Sequence, residues 1–257
     1  MAERHRFYGA KPAQIPEERK AFETKAVVIN MKYKNTVVGE FISRPNRFIA
    51  NVMIDGEEHV CHVKNTGRCR ELLVPGCKVI LEKSDNPSRR TAYDLVAVYK
   101  NEMLINMDSQ APNKVLGEWV AGGGFSDDVT LIKPECTYKN SRFDFYIEVD
   151  GKGIFAEVKG VTLEENGVVL FPDAPTERGV KHIRELIDAA ENGYETYIFF
   201  VIQMEKCLYF VPNEKMHPDF AEALRLAQSK GVNIRALNCR VSENELSIIG
   251  DIAIKLR

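Results

Sequence analysis

The chain has 257 residues, 44% hydrophobic and 28% charged, which is the composition of an ordinary water-soluble globule with room for one large core or two small ones. Lys+Arg 35 against Asp+Glu 37 leaves a net charge of −2, so no global basic excess announces nucleic acid. No apolar run approaches the roughly 18 residues of a membrane-spanning helix and no charged, apolar leader opens the chain, so the expected address is cytoplasmic and no membrane partner is expected.

Residues 1–30 are polar, with two prolines and little periodicity, and read as an N-terminal extension without fixed structure. Residues 31–108 carry the next module. Short strands VVGEFI, RFIANVMI, EEHVCHV, CKVILEK and TAYDLVAVY alternate with turns RPN, DGE, KNTGR, VPG and DNPSRR, a spacing that predicts a small Greek-key barrel of the OB type, with a helical turn near Arg68 to Leu73. Such barrels bind single-stranded nucleic acid in a basic groove. Arg44, Arg47, Lys64, Asn65, Arg68, Arg89 and Arg90 lie in or beside the turns and are the candidate nucleic-acid contacts; solvated turn charge is the plainer alternative. Asn65-Thr66-Gly67 suits either a phosphate-facing turn or a purely structural one.

The third segment, residues 109–257, is acidic: residues 113–257 carry 17 basic and 23 acidic side chains, as a cation-binding module would. A helix is expected over Pro112 to Ala121, its core face formed by Val115, Leu116, Trp119 and Val120. Strands follow at about Val129 to Lys139, Ser141 to Val149 and Gly153 to Thr162, then a helix from Thr176 to Asn192 and a strand from Tyr197 to Gln203. A later helix, Pro218 to Lys230, ends at Gly231. The six cysteines form no CxxC pair and read as reduced, packed thiols.

Within this module Glu157 and Lys159 are two apart on one strand, so they leave the same face of an otherwise apolar run. A hairpin with the preceding strand sets Asp144 beside Glu157. Two neighbouring carboxylates repel, and a divalent cation relieves that; hard oxygen ligands suit Mg2+ or Mn2+. Lys159 could then stabilise charge on a phosphate. A structural ion network that fixes strand register is the alternative.

Asp144 followed by Glu157-Val158-Lys159 resembles the D…(D/E)-x-K signature of restriction-endonuclease-like nucleases, and the order αβββαβ is the core of that superfamily. RFDF, EVKGVTL and FPDAPTERGVKHIREL, with RPNRFIANV, HVKNTGRCREL and DNPSRRTAYDL upstream, closely resemble the sugar fermentation stimulation protein A family from about Met31 onward. The resemblance implies a mixed α+β chain, an OB-fold-like barrel followed by a PD-(D/E)xK nuclease-like domain. It assigns Asp144, Glu157 and the Val158 carbonyl to a metal, Lys159 to catalysis, and DNA ahead of RNA as partner. Glu118 is the candidate acid from the first helix, with an exposed helix glutamate as the alternative. Asp173, Thr176, Arg178, Lys181 and His182 are further candidates to line the site, Asp173 and Thr176 equally being possible caps. The implied function is a metal-dependent nuclease. The alternatives are a non-catalytic DNA-binding regulator of sugar catabolism, as the family name implies, and hydrolysis of another phosphodiester such as a nucleotide second messenger.

Overall fold

The computed structural model describes residues 31–256. The N-terminal extension expected over residues 1–30 lies outside the described residues. A two-residue strand, β1 (Met31–Lys32), is followed by five strands that close on themselves: β2 (Thr36–Asn46), β3 (Ile49–Ile54), β4 (Glu57–Val63), β5 (Lys78–Lys83) and β6 (Tyr93–Lys100). Neighbours run in the order β4-β3-β2-β5-β6, and a parallel pairing of β4 with β6, His62 to Asp94 and Val63 to Leu95, shuts the barrel. This is the OB arrangement, in which every strand except the closing pair is antiparallel to its neighbours. Ala50, Val52, Cys61, Val63, Val79 and Leu95 fill its interior, each almost wholly buried. The segment near Arg68 to Leu73 makes the single helical turn expected there, with the Leu72 and Leu73 amides donating to the Cys69 carbonyl. Strand β7 (Met103–Asn106) extends the barrel sheet from β6 and leads out of it.

Helix α1 (Ala111–Ala121) follows, with Pro112 in its first turn and Val115, Leu116 and Val120 buried. Strands β8 (Val129–Tyr138), β9 (Ser141–Val149) and β10 (Lys152–Val161) form an antiparallel meander. Next come two short strands, β11 (Leu163–Glu165) and β12 (Val168–Phe171), then α2 (Glu177–Glu191), β13 (Glu195–Ile202), β14 (Tyr209–Pro212), α3 (Pro218–Ser229), β15 (Asn233–Val241), β16 (Glu245–Asp251) and β17 (Ala253–Ile254). The main sheet has the order β1-β16-β15-β13-β10-β9-β8, with β13 parallel to both β10 and β15. A second sheet, β11-β12-β14-β17, stands beside it.

The period-two pattern of β10 sorts its residues by face. Phe155 and Val161 join the core beneath α2, with Glu157 and Lys159 between them; Ile154, Ala156 and Val158 join the core beneath α1. The first strand of the chain departs from the expected module: β1 pairs with β16, so Met31 and Lys32 belong to the large sheet and not to the barrel. Among the described residues no helix is long and apolar enough to cross a membrane. The six cysteines are free thiols; Cys61, Cys69 and Cys239 are buried.

Candidate active site

The geometry of the site starts at a turn. Asp150 and Gly151 both have positive φ, 50° and 73°, the pattern of a two-residue hairpin loop that glycine accepts without strain. That loop pairs Val149 with Lys152, and each later pair lies one residue further from it, down to Phe145 with Ala156. The next position sets Asp144 across from Glu157. There the two strands part, and Asp144 Oδ2 accepts from the Val158 amide at 2.8 Å, while its Oδ1 accepts from Asn113 Nδ2 at 2.9 Å.

Glu157 is 2% exposed. Its Oε1 meets Lys159 Nζ at 2.6 Å and also bonds His182 Nδ1, whereas Oε2 is buried without any hydrogen-bond partner. Arg178 Nε donates to His182 Nε2 at 3.3 Å, which places the ring proton on Nδ1 and aims it at the carboxylate. Burial pushes the Glu157 carboxyl up, but His182 and Lys159 outweigh it and hold the group below its ordinary value. Asp144 moves the other way. Burial is the larger cause and the neighbouring Glu157 charge the next, and together they raise it.

The donor set fits a hard divalent cation. A buried carboxylate oxygen without a partner, next to a second carboxylate that repels it, is the arrangement a cation would relieve. The fit is an open one: among the described residues no three His, Cys, Asp or Glu side chains converge as ligands. Two carboxylates would hold the ion and leave its other positions for water and phosphate oxygens.

The structure sorts the other candidates. His182, placed by periodicity at the margin of the charged face, is buried against Glu157. Thr176 caps α2, its hydroxyl accepting from the Gly179 amide at 3.0 Å. Lys181 lies on the solvent side, 3.6 Å from Glu185. Glu118 is not at the carboxylate pair: it lines a different cavity with Met31, Tyr33, Lys64, Glu82 and Lys114, and burial raises its carboxyl. The residue that α1 does bring to Asp144 is Asn113, in the first turn of the helix, which sequence reasoning missed.

The basic turn residues divide in two. Arg44 gives its guanidinium to the carbonyls of Asn65, Arg47 and Arg68 at 2.6–2.7 Å, so it ties two turns together. Arg89 forks onto Asp94 at 2.6 and 2.8 Å. Lys64 sits among Asp108, Glu82 and Asp94 at 3.4, 3.4 and 3.8 Å; burial opposes its charge, yet these carboxylates hold its pKa above the ordinary lysine value. Asn65 bonds the Met107 carbonyl and the Gly67 amide. These four side chains are engaged by the protein's own scaffold, so any nucleic acid would meet them already held. Arg47, Arg68 and Arg90 are exposed and remain available.

A polar seam joins barrel and main sheet. Gln203, 1% exposed at the end of β13, donates to Asn106 Oδ1 at 2.8 Å and to the Asp108 carbonyl at 3.1 Å, and Asn106 donates to Tyr33. An amide closing the apolar run of β13 was the available signal for Gln203, since a buried amide needs partners.

Comparison with known proteins agrees with this architecture. Residues 42–107 match the SfsA N-terminal OB domain, and residues 110–245 match the sugar fermentation stimulation protein RE domain. The chain is 59% identical over 218 residues to a sugar fermentation stimulation protein homolog of Clostridium beijerinckii, covering 85% of this chain and 96% of that one. It is 57% identical over 226 residues to the homolog of Ruminiclostridium cellulolyticum, covering 88% and 100%. A solved structure of Pyrococcus furiosus SfsA in complex with Ca2+ superposes with a TM-score of 0.81 at 27% identity, covering 88% of this chain and 99% of that one. Barrel, mixed sheet and sequence therefore agree, and this chain belongs to the sugar fermentation stimulation protein (SfsA) family.

Proposed function

We propose that this protein is a divalent-metal-dependent phosphodiesterase acting on nucleic acid, with DNA ahead of RNA as the polymer. The observation that carries the reading is the buried, partnerless Oε2 of Glu157 beside Asp144, with Lys159 on the same face. Ca2+ in the Pyrococcus furiosus relative supports a divalent cation, which in a working enzyme would be Mg2+ or Mn2+. The ion would supply a polarised phosphate and an activated water. Asp144 and Glu157 would hold it, with the Val158 carbonyl as a third oxygen. Lys159 turns its ammonium from Glu157 toward the phosphate and stabilises the charge that develops there. His182 positions the Glu157 carboxylate by occupying Oε1, and Arg178 fixes the His182 tautomer. Arg47, Arg68 and Arg90 supply the barrel's phosphate contacts.

A second reading has its own observation. Glu157 Oε1 is already satisfied by Lys159 and His182, so the cluster can stand as an internal ion network in a DNA-binding regulator of sugar catabolism. The deciding experiment incubates labelled single-stranded DNA, duplex DNA and RNA with the protein in Mg2+, Mn2+ or EDTA, beside Lys159→Ala. Metal-dependent cleavage that the variant loses by at least about a hundredfold supports the enzyme. Binding that persists in EDTA with no cleavage in any arm retires it in favour of the regulator.

A further inference from the structure

A cleft of about 280 Å³ opens where the barrel meets the end of β10. Its lining is mixed: Asn65, Thr66, Ser109, Thr162, Asp173 and Gln203 are polar, and Leu163, Leu170 and Phe171 are apolar. Gly160, which shares a peptide bond with Lys159, forms part of the floor, so the cleft adjoins the carboxylate site along a single strand. Its glycine is needed there: a Cβ would come within 2.6 Å of Pro112 and 2.7 Å of Gln203 Oε1.

The cleft's charge says what it does not hold. Its lining contains one carboxylate, Asp173, and no lysine, arginine or histidine, so no side-chain cation there would offset a phosphate's charge. Its acceptors say what it does hold. The Asp108 carbonyl can only accept, so the Gln203 Nε2 that donates to it is fixed, and the acceptor Oε1 is turned toward Gly160 on the cleft floor. An occupant with apolar faces, a hydrogen-bond-donating edge and no charge suits this mixed lining, and a nucleobase has this form.

We infer that the cleft receives one unpaired base of the strand whose phosphodiester lies at Asp144, Glu157 and Lys159, so that the substrate is single-stranded or frayed nucleic acid. This rests on the phosphodiesterase reading for its substrate and deepens it. The volume has room for one nucleoside and lies below the ~300–1,000 Å³ typical of larger ligand sites. A base within a closed duplex has its edge paired and its faces stacked, and enters only after extrusion. Gln203 Oε1 and Asp173 both favour bases that present an amino group.

The test reads binding, in a protein unable to cut. Full-length Lys159→Ala is titrated in Mg2+ with a fluorescent octamer whose every position is abasic, with the same octamer bearing one adenine, with one bearing two adjacent adenines, and with a blunt duplex. The single adenine should tighten binding about tenfold over the fully abasic strand of equal charge, and the second should add less than about threefold. The duplex should bind at least about tenfold more weakly than the one-adenine strand. Thr66→Leu, which fills the cleft from an exposed turn, should erase the single-base gain, while Thr66→Ser keeps it. Equal affinity for abasic and adenine-bearing strands, equal gains from each base, a duplex that binds as well, or no binding at all overturns the inference. A single-base gain in a protein whose native form cuts nothing would leave the cleft standing and retire the phosphodiesterase reading; cleavage with no gain does the reverse.

Discussion

His182 and Lys159 converge on the same oxygen of Glu157, the former through Nδ1 and the latter at 2.6 Å, and leave the other oxygen with nothing. The two carboxylates of the site are thereby made unequal. Glu157 is held charged by two donors, whereas Asp144, flanked by amides and facing that charge, is the one whose ionisation the fold resists. Such a pair is poised for an incoming positive charge.

Replacing Asp144 by Asn should therefore stabilise the metal-free protein. Asn retains an acceptor for the Val158 amide, and Asn113 can turn its own amide to match. Because the folded-state pKa of Asp144 is raised, its unfavourable contribution is present above that pKa and relieved as pH falls through it. At pH 7 the variant should gain about 1 kcal/mol in urea unfolding, and the gain should vanish below pH about 4. A variant less stable than the native protein at pH 7 would contradict the assigned strain.

Metal should reverse that order. At a hundredfold excess over its Kd, Mg2+, Mn2+ or Ca2+ should add about 2.7 kcal/mol to the native protein and far less to Asp144→Asn, read as the shift in thermal midpoint with and without EDTA. Equal shifts in both proteins would place any bound cation elsewhere.

Glu157→Gln should act in the opposite sense. Its folded pKa is lowered, so its contribution is present above the ordinary glutamate value of 4.5 and is lost as pH falls below it. Removing the charge leaves Lys159 and His182 facing a neutral amide, at a cost of about 3 kcal/mol at pH 7 that narrows toward pH 3. Denaturant unfolding across that range measures it.

The barrel's arginines should separate by role. Arg44→Ala loses the donors to three carbonyls and should destabilise by about 2 kcal/mol. Arg68→Ala should leave the unfolding midpoint unchanged, weaken nucleic-acid binding, and reduce the slope of log affinity against log salt by about 1. Identical behaviour of the two variants would undo the division.

Much of this site could be read from the chain because its parts are local. Strand periodicity alone put Glu157 and Lys159 on one face, and the two-residue turn at Asp150-Gly151 set Asp144 opposite. Helical periodicity fixed the buried face of α2 but could not say what stood across from its edge, and so left His182 at a margin when it in fact reaches into the sheet. Asn113 was illegible, and Gln203 was legible only as a buried amide in need of partners, for a related reason: each acts on a partner from a distant element, and nothing in their own neighbourhoods marks that partner. The carbonyls and carboxylates around Arg44, Lys64 and Arg89 were hidden in the sequence, since charge in a turn looks the same there whether it faces water or its own scaffold. The strand β1 was hidden by its two-residue length, and the small second sheet by strands of two to four residues.

The pairing of β1 with β16 gives the barrel two moorings. One lies where its chain enters, through Met31 and Lys32 in the main sheet; the other lies where it leaves, through the bonds of Asn106 and Asp108 to Gln203. A lobe tethered by a single linker can swing open and shut over what it grips. This one is stitched on both sides. On the phosphodiesterase reading, a strand would therefore have to come to the barrel already loosened, since the barrel would not swing aside to admit it.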